Sequence, residues 1–290
     1  MPLESARGRR RLWPVAAGLF GHELAGVVME IGPDVTEFAV GDHAVGSLVQ
    51  YCEHCAAYLA ARAYQCLNPE KTQRLPNAGP RLPHNVAPVT QAFGARTFAE
   101  RARVHENEVV KVPDSLPFPQ LSILGYGSLT SAAAAVSLAG ARPGDAVAVI
   151  GIGGVGLNVI TRAGRIIAID TQPTKDVLAR KFGATDFIDS GKGDSVAKVR
   201  ELADISVDQV FERIGLKSTS EQAIKMTRKG GGAYMLGVHK PDQPIAVDAL
   251  IDLVTNQVTE RRYIWDRATS STTSRSMPTC ICRTGSTLTT

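Results

Sequence analysis

The 290-residue chain lacks any apolar run long enough to cross a membrane. Its longest run, Ala132–Ala141, is interrupted by Ser137 and Gly140, whereas a span needs about 20 apolar residues. It also lacks a strong charge of either sign. Thirty-two Lys and Arg against 28 Asp and Glu leave +4, too little over this length to attract nucleic acid or a membrane surface. Cysteine is scarce and odd in number: there are five, three of them in one short segment. In a reducing compartment that usage points to metal binding rather than to disulfides. A secretory signal is not expected either. Arg7, Arg9, Arg10 and Arg11 precede an apolar stretch, Leu12–Phe20, but Pro14, Gly18 and the immediate His22-Glu23 break the pattern. No small-residue cleavage site follows, and a cytoplasmic location is expected. Internal repeats are lacking. What remains is an ordinary globular composition, 44% hydrophobic and 21% charged, which excludes disordered and fibrous classes. The length fits two domains.

Three parts are visible along the chain. From Phe20 to Pro117, short β-branched runs (Gly26–Ile31, His43–Val49, Glu108–Val112) alternate with Gly, Pro and Asp, predicting a β-rich domain. From Leu124 to Trp265, apolar strand runs at Ala146–Ile150, Arg165–Asp170, Asp186–Asp189, Val207–Phe211 and Ala233–Gly237 alternate with helical stretches at Lys175–Phe182 and Ser218–Arg228. That alternation predicts βαβ units and a parallel sheet. Ala268–Thr290 has 13 Ser or Thr among 23 residues and no acidic residue. It shows neither helical nor strand periodicity and is predicted to be irregular. The expected domains are 1–125, 126–265 and the tail, 266–290.

Gly151-Ile152-Gly153-Gly154-Val155-Gly156 follows the strand run Ala146–Ile150. A G-x-G-x-x-G placed between strand and helix lets backbone amides approach a pyrophosphate at the helix N-terminus. Asp170 ends the next strand, where a carboxylate accepts ribose hydroxyls and repels a 2′-phosphate, favouring NAD over NADP. The alternative is a glycine-rich turn that binds nothing. Only 13 residues lie between Gly156 and Asp170, so the crossover helix is expected to be short, about eight residues or ~12 Å.

Cys52-Glu53-His54-Cys55, with Cys66 farther on, has the spacing of a thiolate site. Two thiolates at C-x-x-C spacing chelate a tetrahedral zinc from a single turn, and a third can join from the same lobe. Tyr58 stands where a regular repeat would place another cysteine, so metal-free buried thiols are the competing reading. Gly21-His22-Glu23 opens the run GHELAGVVMEIGPDVTEFAVGDHAV, ending past Gly41-Asp42.

This run, the cysteine lobe, the segments Phe98-Ala99-Glu100 and Val112-Pro113, and the glycine fingerprint together resemble the zinc-containing alcohol dehydrogenases of the medium-chain dehydrogenase/reductase superfamily. The resemblance extends to about Ile264. It implies an α/β protein: a Rossmann doubly wound parallel sheet plus a GroES-like β domain, here expected to be truncated. It implies NAD-linked hydride transfer between an alcohol and its aldehyde or ketone, with zinc as a Lewis acid. By motif match, His22 is a catalytic zinc ligand and Glu23 its close neighbour. Cys52, Cys55 and Cys66 match three of four structural zinc ligands. Gly151, Gly153, Gly154, Val155, Gly156 and Asp170 match the dinucleotide site, Thr130 a residue near the nicotinamide, and Lys175 one near the adenosine ribose.

The departures matter equally. The family's cysteine ligand upstream of G-H-E, with its proton-relay hydroxyl, is missing. The L-G-C-G-like segment before the Rossmann domain reads Leu124-Gly125-Tyr126-Gly127, and Tyr58 replaces a structural cysteine. The structural zinc site is therefore expected to be incomplete, the catalytic one largely lost, and the activity impaired. The β domain is expected to lack its first strands and to leave sheet edges uncovered. The tail is read, as a hypothesis that the coding DNA tests, as an out-of-frame continuation. A small alcohol or aldehyde is the expected partner, with a homo-oligomer formed through the Rossmann domain. Two competing readings are a zinc-free quinone or enoyl reductase of the same superfamily, which the cysteine lobe argues against, and a non-catalytic nucleotide-binding remnant.

Overall fold

A computed structural model of the chain describes residues 18–19, 21–68, 83–84, 87–88, 90–91, 97–159, 163–240, 243–262 and 279–284. The chain forms two compact units. One is Trp13–Leu129 together with Trp265–Thr290, and the other is Thr130–Ile264. The division falls at Thr130, a few residues beyond the boundary expected from composition.

The main strands are, in chain order, β1 (Leu24–Ile31), β2 (His43–Gly46), β3 (Arg101–His105), β4 (Val109–Val112), β5 (Ala146–Ile150), β6 (Arg165–Asp170), β7 (Asp186–Asp189), β8 (Val207–Glu212), β9 (Thr227–Met235), β10 (Thr259–Arg262) and β11 (Thr279–Thr284). The helices are α1 (Ala56–Leu59), α2 (Phe118–Ser122), α3 (Gly127–Ala132), α4 (Gly154–Val159), α5 (Asp176–Lys181), α6 (Ser195–Leu202) and α7 (Lys217–Met226). Two-residue ladders pair Gly18–Leu19 with Thr90–Gln91 and Pro83–His84 with Ala87–Pro88.

The first unit is built on a five-stranded antiparallel sheet in the order β3-β11-β1-β2-β4. Leu24, Val28, Ala44, Ala102, Val104 and Val109 point to one buried face with Phe38, and Ala25 and Val45 pack on Leu121 of α2. The tail corrects an expectation. β11 sits between β1 and β3, pairing Cys282 with Val28 on one side and with Ala102 on the other. The Ser/Thr richness of the tail hid this strand, because Thr-Cys-Ile-Cys-Arg-Thr has no polar/apolar alternation to read. The ladder also covers edges of β1 and β3 that were expected to stand open. The rest of the tail lies outside the described residues.

The second unit carries six parallel strands in the order β7-β6-β5-β8-β9-β10. Both faces are covered, so strand residues alternate between two cores. Val147, Val149, Ile166, Ala168, Phe211 and Tyr234 face one. Ala148, Ile150, Ile167, Ile169, Val210, Ala233 and Met235 face the other. The strands β5, β6 and β7 match the sequence reading residue for residue. Around β9 the reading is corrected. The helix α7 stops at Met226, Thr227 and Arg228 are already strand, and the strand ends at Met235 rather than Gly237. Gly230, with φ +69°, bends this strand, and a Cβ on Gly231 would lie 2.6 Å from the Asp208 carbonyl oxygen. The irregular register beside β8 depends on these glycines.

Of the crossover after β5, α4 is described over Gly154–Val159, and residues 160–162 lie outside the described residues. The return is nonetheless completed, because Gly164 donates its N–H to the Asp145 carbonyl at 2.9 Å and Arg165 then pairs with Ala146. A small apolar hollow remains between Ala135, Val147, Val159, Ile166 and Phe211, beside the short helix.

Candidate functional site

The order of the parallel strands places a switch point between β5 and β8, where the chain leaves the sheet in opposite directions. In open α/β sheets the ligand crevice forms there, outside the carboxyl ends of the strands. The glycine turn leaves β5 at this point. Gly151 has φ +95°, a conformation that favours glycine. A Cβ on Gly156 would lie 2.1 Å from the Gly151 carbonyl oxygen, so α4 approaches the strand as only glycine permits. Cβ atoms on Gly153 and Gly154 would meet nothing within 4 Å, which leaves the outer side of the turn open. From β8, Ile214 reaches the turn: its Cγ1 is 2.7 Å from a Cβ placed on Gly151.

Asp170 closes the end of β6, 7% exposed. Its Oδ2 accepts the Ile152 N–H at 2.8 Å and the Lys175 ammonium at 2.9 Å, and its Oδ1 accepts the Gln172 N–H at 3.0 Å. Burial pushes this carboxyl up, but Lys175 and the two amides outweigh it and hold the acid below its ordinary range. The ionised form, the one that accepts ribose hydroxyls, is therefore secured. Thr130 is 7% exposed and its Oγ1 is buried without a hydrogen-bond partner. Next to it, Ser131 donates its hydroxyl to the Val155 carbonyl at 2.8 Å, tying α3 to the glycine turn. An open turn, an ionised acid at the ribose position and an orphaned hydroxyl fit a dinucleotide. Gly151, Gly153, Gly154, Val155, Gly156, Thr130, Asp170 and Lys175 thus lie together in one unit.

The depressed Asp170 pKa has a signed consequence. Its contribution is complete above the ordinary carboxylate value and is lost as pH falls through the folded value. The stability gap between the native chain and Asp170→Asn is expected to be constant above about pH 4 and to shrink below it. Thermal unfolding from pH 3 to 7 checks this. A gap that instead widens on acidification would contradict the assigned partners. Asp170→Ala is also expected to weaken NADH binding and to narrow its preference over NADPH, as read by cofactor fluorescence.

The sulfur atoms of Cys52, Cys55 and Cys66 lie within 4.8 Å of one another. Tetrahedral zinc at about 2.3 Å from each sulfur sets them about 3.8 Å apart, so a small closure suffices. The Cys52 and Cys55 side chains are buried. Five N–H groups point at the three sulfurs from 3.3 to 3.5 Å: those of Cys52, Tyr58, Leu67 and Asn68, and the Asn68 amide. Burial raises the Cys52 thiol, but hydrogen bonds from the His54 backbone, Asn68 and the neighbouring thiols bring it down to about 6. Burial and the neighbouring Cys52 push Cys66 up. Glu53 holds φ 67° inside the C-x-x-C turn, an uncommon conformation for a residue with a side chain.

His22 and Glu23 precede β1 directly. The His22 ring meets Tyr126 edge-on, with centroids 4.5 Å apart. Glu23 Oε1 accepts the Gly127 N–H at 3.1 Å, fastening the segment that carries Tyr126. Burial lowers the His22 pKa, partly offset by Glu23. Among the described residues, no third His, Cys, Asp or Glu gathers with this pair. The described groups around His22 do not make a zinc site.

Sequence reasoning missed Glu212. It is fully buried, and its Oε1 accepts the Ile214 and Gly215 N–H groups and the Thr219 hydroxyl, each at 2.8 Å. It shapes the loop that meets Gly151. A Glu directly after the apolar pair Val210-Phe211, with Gly215 three residues on, was the available signal.

A six-stranded parallel sheet with a glycine turn after one central strand and a buried acid ending the next has the architecture of a Rossmann unit. Residues 6–114 match the alcohol dehydrogenase GroES-like domain and residues 149–275 match the zinc-binding dehydrogenase family. An S-(hydroxymethyl)glutathione dehydrogenase of Escherichia coli is 35% identical over 252 residues, 83% of this chain and 68% of that protein. Among solved structures, an alcohol dehydrogenase zinc-binding domain protein from Burkholderia ambifaria superposes with a TM-score of 0.79 at 30% identity, covering 88% of this chain and 70% of the other. Benzyl alcohol dehydrogenase from Acinetobacter calcoaceticus gives 0.77 at 28% identity, covering 87% and 70%. The chain belongs to the zinc-containing alcohol dehydrogenase family of the medium-chain dehydrogenases/reductases. The second match runs to residue 275, into the Ser/Thr-rich tail. No helix among the described residues is long and apolar enough to cross a membrane.

Proposed function

We propose that this chain is an NAD-linked dehydrogenase of the alcohol–carbonyl type that binds its cofactor well and turns alcohols over weakly. The observation that carries the cofactor half is Asp170, held ionised at the end of β6 beside an open glycine turn. Bound nicotinamide supplies the hydride acceptor. The chain supplies placement: Asp170 and Lys175 at the adenosine ribose, and the unpartnered Thr130 hydroxyl at the nicotinamide end.

Weak turnover is supported by Tyr126. A neutral alcohol is a poor hydride donor unless its anion is stabilised. Where the resemblance calls for a cysteine ligand, a phenol stands against His22, and a phenol with pKa near ~10 is costly to ionise at neutral pH. The names of the relatives make benzyl alcohol and S-(hydroxymethyl)glutathione the first substrates to try, and a homo-oligomer is proposed as the working form.

NADH formation on either compound is expected to be slow but measurable, and unchanged by chelator. Tyr126→Cys alone is expected to leave it so, since among the described residues the change would bring together one imidazole and one thiolate, whereas a catalytic zinc takes three protein donors. Robust, chelator-sensitive turnover by the unmodified chain would overturn the weak-turnover reading. Chelator-insensitive quinone reduction would move the assignment to a zinc-free reductase, and NADH binding with no turnover on any substrate would mark a nucleotide-binding remnant.

A further inference from the structure

The loops that leave β8 and β9 meet backbone to backbone. A Cβ on Gly237 would lie 2.1 Å from the Gly215 nitrogen and 2.6 Å from the Ile214 carbonyl carbon. Gly215, with φ +81°, would carry a Cβ 2.4 Å from the Val238 carbonyl oxygen. The first turn of α7 holds both loops. Thr219 gives its hydroxyl to Glu212, which also fixes Ile214 and Gly215. The Glu212 carbonyl accepts the Leu236 and Gly237 N–H groups at 2.8 and 3.1 Å, so the second loop is held as far as Gly237. Beyond Gly237 it is fastened at His239, whose Nε2 lies 2.5 Å from Oγ of the fully buried Ser220. Ser220 donates its hydroxyl to the Leu216 carbonyl at 3.0 Å. That uses its one hydroxyl hydrogen, so His239 Nε2 is the donor. Val238, between the two fastenings, is 72% exposed.

A doubly wound sheet takes a dinucleotide across its switch point, one half on each side. The strand order β6-β5-β8-β9 sets the loop after β9 three strands, roughly 14 Å, from Asp170 at the end of β6. With the adenosine ribose at Asp170, the loop after β9 falls to the nicotinamide half. We propose that His239 is a positioning residue for that half. Through Ser220 it fixes the Val238 backbone at the carboxyl end of the sheet, and with it the exposed apolar side chain there, a surface suited to the flat face of a nicotinamide ring. His239 acts through the loop and need not touch the cofactor. This role rests on the cofactor reading of the unit, and ADP-ribose, which lacks the nicotinamide, separates the two.

The full chain is titrated with NADH, followed by cofactor fluorescence, and with ADP-ribose, followed by calorimetry. His239→Ala is expected to weaken NADH roughly fivefold, as the loss of one hydrogen bond does, and to leave ADP-ribose affinity unchanged. Ser220→Ala is expected to give the same pattern, and the double variant to lose no more than either single one. His239→Gln presents an amide N–H where Nε2 stands and is expected to restore most of the NADH affinity. A merely structural role would instead weaken both ligands alike. A native chain that binds neither ligand, or ADP-ribose alone, would overturn the cofactor reading and this role with it. If the native chain binds both, three results would overturn the role alone: NADH affinity unchanged in His239→Ala and Ser220→Ala, equal losses for the two ligands, or a His239→Gln as weak as His239→Ala.

Discussion

Gly156→Ala is expected to abolish measurable NADH binding and to lower stability by about 3 kcal/mol. The added Cβ would lie 2.1 Å from the Gly151 carbonyl oxygen and 3.1 Å from its carbon, with Val149 Cγ1 at 3.6 Å. The first two neighbours are backbone atoms of the turn itself, so no side chain can swing aside. Relief requires α4 to move off β5, and with it the turn that faces the cofactor. The described part of this helix, Gly154–Val159, begins at the turn itself, so the shift falls on the turn. Gly154→Ala, whose Cβ meets nothing within 4 Å, is the control: it is expected to keep the fold and to weaken NADH only by crowding the open side of the turn. Thermal unfolding and cofactor fluorescence on both variants check the pair. Equal losses in the two would contradict the close-packing account.

The second large effect is expected at Glu212. Glu212→Ala removes the acceptor of two backbone N–H groups and one hydroxyl inside the protein. A buried donor left without a partner costs about 1–3 kcal/mol, so a loss of roughly 3 kcal/mol is expected. Because Ile214 of this loop meets Gly151, NADH affinity is expected to fall with stability. Glu212→Gln keeps an acceptor oxygen and is expected to lose much less. Chemical denaturation of both variants measures the difference, and an unchanged midpoint in Glu212→Ala would show that the loop finds other acceptors.

Much of the Rossmann unit was legible because buried parallel strands are continuous apolar runs. Ala146–Ile150 and Arg165–Asp170 have sharp ends, set by Gly151 and by the polar pair Thr171-Gln172. The glycine turn and Asp170 were legible for the same reason, as their places follow from those strands. Three features were not. The strand β11 draws its stability from two neighbouring strands distant in sequence, and no local pattern announces it. Helix α7 gives way to β9 without a break, because Thr227 and Arg228 suit either conformation and pairing with β8 decides. The meeting of Tyr126 with His22, and of Glu23 with Gly127, joins residues about a hundred positions apart, beyond what spacing can express. The cysteine cluster is intermediate: Cys52 and Cys55 were singled out by spacing and Cys66 by the resemblance, while the network of N–H groups around them emerged only from the fold.

Titration of the unmodified full chain with NADH and with NADPH, followed by cofactor fluorescence, tests the central claim most directly. The account predicts saturable NADH binding at least tenfold tighter than NADPH binding, because the ionised Asp170 accepts a ribose hydroxyl and repels a 2′-phosphate. Equal affinity for the two cofactors, or no saturable binding of either, would contradict it.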